Sequence, residues 1–171
     1  IFPGLVDREV TTVIVTPDQP AGAVAATSTV DEAALPARGQ EPEGSNAASN
    51  AETVAGTIIY DAPDGVSSIT INGIAITSVG QVISTPFGNL TITSIAPGAI
   101  GYSYTLADNT SGDTTTDNFS VTVTDTDGDS ANATLTINII DDVPTARNDT
   151  DAIAAGEYGP ETGNVLTGAD T

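Results

Sequence analysis

The run Asp125-Thr126-Asp127-Gly128-Asp129 sets three carboxylates at alternate positions around a glycine. Calcium takes about six to eight oxygen ligands, chiefly from carboxylates and carbonyls, so such a run is suited to a hard divalent cation. An acidic pair, Asp141-Asp142, follows the apolar run "ATLTINII", and "VPTARND" closes the stretch. Two known calcium loops do not fit. An EF-hand loop counted from Asp125 needs glycine at its sixth place and glutamate at its twelfth, where this chain has Ser130 and Thr136. A glycine-rich nine-residue calcium repeat is also absent from the sequence. The plain alternative is a solvated hairpin turn, since Asp and Gly are favoured in tight turns whatever else they do.

The strands that must hold these residues are legible. "FSVTVTD" alternates Phe119, Val121 and Val123 with Ser and Thr, and "TLTINII" does the same with Leu135, Ile137 and Ile139. Period-two alternation marks half-buried strands. If these two pair as a hairpin, residues 125–130 lie at one end and Asp141-Asp142 at the other. Both ends of one domain are then acidic, and a cation could neutralise two such ends where modules meet. "SITINGIAIT" predicts a second hairpin, because Asn72-Gly73 supplies the two positive-φ residues of a type I′ turn. Helical signal is almost absent; "STVDEAALPARG" allows one turn before Pro36. The pattern predicts an all-β antiparallel sandwich. Its core should include Ile71, Ile92, Val121, Val123, Leu135, Ile137 and Ile139.

Composition limits the function. The 171 residues carry a net charge of −20, with Arg8, Arg38 and Arg147 as the only cations and no lysine. Nucleic acid and anionic lipid need clustered basic residues, so neither is an expected partner. No stretch is apolar for long enough to span a bilayer, and no membrane insertion is expected. Histidine and cysteine are absent. That removes the commonest general base, thiolate chemistry and disulfides. Only a carboxylate mechanism would remain for an enzyme, and no residues position one, so we expect no catalysis. A carbohydrate-binding sandwich is the alternative, but such modules favour exposed aromatics, and aromatics are 4% of this chain with no Trp. The layout predicted is a sandwich over 27–143. It is flanked by a strand-bearing segment, 1–26, and by a linker with the start of a further module, 144–171. The apolar strand at 10–15 should be paired, on this chain or on a neighbouring copy, because a lone strand presents unmet backbone groups.

"NFSVTVTDTDGDSANATLTINIIDDVPTARND" resembles the last hairpin and linker of cadherin-like bacterial Ig modules. With "STVDEAALPARGQEPEGSN", "IAPGAIGYSYTLADNTSGD" and "GNVLTGADT", it is similar to the repeat of giant type I-secreted RTX adhesins. The similarity spans most of residues 27–171. It implies an Ig-like, cadherin-like sandwich in a tandem array at the bacterial cell surface, extracellular, stiffened by calcium and serving adhesion or biofilm structure. Its implied partners are neighbouring modules or copies, with surface or matrix glycans as a further class. It also implies calcium ligands at the junctions: Glu32 (or Asp31), Asp125, Asp127, Asp141, Asp142, Asn148 and Asp149. The linker departs from the family's Asp-x-Asn-Asp-Asn order, reading "DDVPTARND". A filament built from separate subunits, with "VTTVIV" or "GNVLTGA" donated to a neighbour's sheet, is the alternative assembly.

Overall fold

The computed structural model describes residues 12–18, 20–112, 115–142, 163–164 and 169–170. The fold is an all-β sandwich of two five-stranded sheets. The strands in chain order are β1 (Thr12–Val15), β2 (Ala26–Asp31), β3 (Thr53–Tyr60), β4 (Val66–Ile71) and β5 (Ile74–Ala75). They continue with β6 (Val82–Ser84), β7 (Gly88–Ala96), β8 (Ala99–Leu106), β9 (Thr115–Asp125) and β10 (Ser130–Ile140). One sheet runs β1-β3-β8-β7-β6 and the other β2-β10-β9-β4-β5. Two further two-residue strands, β11 (Gly163–Asn164) and β12 (Ala169–Asp170), pair with each other.

The alternation read from the sequence is the alternation in space. Phe119, Val121 and Val123 on β9 and Leu135, Ile137 and Ile139 on β10 are buried, and so are Ile71 and Ile92. Ile58, Ile100, Tyr102 and Tyr104 come, like Ile92, from the other sheet and share the same core. Tyr104 on β8 meets Phe119 on β9 edge to face, ring centroids 5.8 Å apart, which joins the two sheets. That geometry suits the ring quadrupoles. Asn72 and Gly73 have φ of 51° and 77°, as a type I′ turn demands, and they join β4 to β5 through the Ile71–Ile74 pair. The one predicted helical turn is a 3-10 turn, Glu32–Ala34, capped by the Asp31 carboxylate accepting from Ala33 N.

The sheets are mixed rather than purely antiparallel. β1 runs parallel to β3 and β2 runs parallel to β10. The cause is a crossover: after Val15 the chain leaves one sheet and enters the other at Ala26, so the first extended stretch is divided between them. The apolar strand at 12–15 is therefore paired within its own chain. Val13 and Val15 are fully buried in the common core, so the sandwich reaches back beyond the boundary at residue 27 that the sequence suggests.

Candidate functional site

The hairpin of β9 and β10 determines which acidic residues can meet. Its tight end holds Asp125, Asp127 and Asp129; its open end holds Asp141 and Asp142. Eleven residues of β10 at about 3.4 Å each put roughly 35 Å between the two ends.

At the tight end, Asp125 shapes the turn. Its Oδ1 accepts from the backbone N–H groups of Gly128 (3.0 Å) and Asp129 (2.8 Å), and its own N–H donates to Asp129 O at 3.0 Å. Gly128 has φ of 105°, a backbone setting that suits glycine. Asp125 is only 1% exposed, and its Oδ2 is buried with no hydrogen-bond partner. The loop after β3 is stitched alongside. Thr126 N donates to Gly65 O at 3.1 Å and the Thr126 hydroxyl to Asp64 O. β1 delivers one more carboxylate: Asp61 N donates to Val15 O at 3.2 Å, and Asp18 follows three residues on. One carboxylate oxygen from each of Asp18, Asp125 and Asp129 lies within 4.8 Å of the other two.

The electrostatics follow from this crowding. Partial desolvation, then the charges of Asp125, Asp64, Asp129 and Asp61, hold the Asp18 carboxyl above the ordinary carboxylate range. Asp125 and Asp127 face each other. Contact with Asp127, then the backbone N–H groups of Gly128 and Asp129, keeps Asp125 below the usual range. The same contact pushes Asp127 up.

At the open end, Glu32, Asp141 and Asp142 share a cavity of about 300 Å³ with Glu41, Glu43 and Asn109. β2 beside β10 explains the meeting, because Asp31 pairs with Ile140 and the next residues converge. Glu32 is 3% exposed. Its Oε1 accepts from Thr110 N (2.6 Å) and Thr110 Oγ1 (2.7 Å). Asp142 accepts from Ser45 N at 2.8 Å and from the Ser45 hydroxyl. Arg38 also lines the cavity, bonded to Glu41 and Asp108 at 3.1 Å each.

Of the seven ligands implied by the resemblance, the structure gathers Glu32, Asp141 and Asp142 at one end, and Asp125 and Asp127 at the other. Asn148 and Asp149 lie outside the described residues. Asp31 is occupied as a cap. Asp18 was not foreseen, and no spacing in the sequence could supply it, because it reaches the cluster only through the parallel pairing of β1 with β3. Asp129 stood in the quoted acidic run without being assigned a ligand role.

The donors fit calcium in kind. All are carboxylate oxygens, and two oxygens bound to one calcium at about 2.3–2.6 Å can stand no more than about 5 Å apart, a limit that the Asp18, Asp125 and Asp129 oxygens respect. The buried unpartnered oxygen of Asp125 is a second sign of fit. Compared with known proteins, the chain matches no family model. No curated protein matches it either.

Proposed function

We infer that this chain is a structural module of an extracellular bacterial adhesin or surface fibre, an Ig-like sandwich of a tandem array, stiffened by calcium at its acidic ends. The observation that carries the reading is the separation of carboxylates into two clusters, one at each end of the β9–β10 hairpin. Stacked end to end, such modules bring acid against acid, and a shared cation relieves the repulsion. The sequence resemblance to RTX adhesin repeats adds the cell-surface setting. The pairing of β1 within its own sheet favours a continuous array over a filament in which that strand is donated. Against a carbohydrate-binding module stand Tyr102 and Tyr104, which serve as core residues rather than as a sugar platform.

Binding to the folded state alone contributes RT ln(1 + [L]/Kd), about 2.7 kcal/mol at a hundredfold excess over Kd. For a chain of this length that raises Tm by roughly 5–11 °C per site. Thermal melting of a two-copy chain in millimolar calcium and in EDTA tests the reading. Equal melting temperatures would contradict it.

A further inference from the structure

We propose that Asp18, Asp125 and Asp129 form a calcium site closed within one chain, and that the ion fastens β1 and the crossover after it to the sandwich. This rests on the reading that the acidic ends take calcium, but it requires no neighbouring module. Three observations converge. The first is geometric: three carboxylates from two segments distant in sequence place oxygens within 4.8 Å of one another, inside the reach of one calcium. The second is the Asp125 Oδ2 atom, buried and without a donor. A buried anionic oxygen needs a hydrogen bond or a cation. Its sister oxygen already holds the turn through Gly128 N and Asp129 N. The third is that the described residues put no cationic side chain beside these carboxylates. Arg38 is the only cationic side chain among the described residues, and it is paired with Glu41 and Asp108, at the opposite end of the sandwich. Magnesium keeps its waters and is usually held by one or two carboxylates; a triad drawn from two loops suits calcium.

The site has a mechanical consequence. β1 is a four-residue edge strand. It is held by β3 along one side and by a bridge from Ile14 to Val24. Short edge elements open at low free-energy cost. Opening this one would expose Val13 and Val15, both fully buried, and would uncover the edge of β3. An ion linking Asp18 to the β9–β10 turn closes that route. Calcium thus governs whether the first strand stays on its own sandwich.

The test uses the full 171-residue chain. Calcium chloride is titrated by calorimetry into the wild type, Asp18→Asn, Asp129→Asn and Asp142→Asn. Hydrogen exchange of the Thr12–Val15 amides is followed with calcium and with EDTA. Asp18 is exposed, so Asp18→Asn should leave the fold intact, whereas Asp125→Asn keeps the Oδ1 acceptor of the turn but puts an amide NH2 in the buried place of Oδ2. The expected result is one binding event weakened at least about tenfold in Asp18→Asn and Asp129→Asn, and unchanged in Asp142→Asn. Calcium should slow exchange across β1 in the wild type and not in Asp18→Asn. Binding by Asp18→Asn equal to the wild type, or β1 exchange indifferent to calcium, overturns the proposal. If Asp18→Asn is silent while a two-copy chain still stiffens with calcium, this site fails and the junctional reading stands. If Asp18→Asn weakens binding while the two-copy chain does not stiffen, the reverse holds.

Discussion

Tyr104 donates its hydroxyl to Asp117 at 2.9 Å inside the sandwich, across the gap between β8 and β9. Both residues are buried. Thr85, just beyond β6, donates its hydroxyl to the same carboxylate oxygen. Burial, and then the neighbouring Asp117 carboxylate, push the Tyr104 phenol far up, so it serves as a donor across the working pH range. A carboxylate can sit in an aliphatic core when two hydroxyls face it. Tyr104→Phe keeps the ring against Phe119 and removes one donor, and should cost about 1–3 kcal/mol. Urea denaturation measures this; an unchanged midpoint would mean the contact contributes nothing.

Arg38 links the 36–41 loop to the turn after β8 through Asp108. The Asn109 backbone N–H first, and the Arg38 guanidinium second, hold the Asp108 carboxyl below its ordinary value of 3.8. Its folded value is thus lower than its unfolded one. The stabilisation is fully present above 3.8 and is lost as pH falls through the lower folded value. Asp108→Asn should therefore be less stable than wild type at neutral pH, with the gap closing in acid. Urea midpoints at neutral pH and well below 3.8 check the sign; an equal gap at both would contradict it.

Glu32, which lines the cavity at the open end of the hairpin, accepts from both the backbone N–H and the hydroxyl of Thr110. Glu32→Gln keeps an oxygen acceptor, whereas Glu32→Ala leaves the Thr110 N–H without its partner. The alanine variant should lose about 1–3 kcal/mol and the glutamine variant distinctly less. Equal losses in denaturant melts would show that the carboxylate charge, rather than the acceptor, matters there.

Period-two alternation and Asn72-Gly73 made the strands, the core and one hairpin readable, because each depends on neighbours in sequence. Ile137 and Ile139 are buried for the same local reason that they alternate with Asn138. What the pattern could not tell was the direction of pairing. Strand alternation is identical in parallel and antiparallel sheets, so the parallel placements of β1 and β2 depend on a crossover that carries no such signal. The same limit hid Asp18. Its place beside Asp125 follows from that parallel pairing, whereas Glu32 beside Asp141 was reachable through a resemblance that already linked the first strand to the linker. The acidic run 125–129 was ambiguous between turn and ligand because Asp125 has two oxygens with different surroundings: Oδ1 makes the turn and Oδ2 has no hydrogen-bond partner.

The most direct measurement is small-angle scattering of a two-copy chain in millimolar calcium and in EDTA, for the wild type and for the double variant Asp125→Asn with Asp127→Asn. In calcium the expected particle is extended, with a narrow range of maximum dimension. In EDTA the profile should be broader and more flexible, and the double variant should respond less to the ion. Superimposable curves in calcium and EDTA, with the double variant indistinguishable from wild type, would contradict it and reduce both acidic ends to solvated turns.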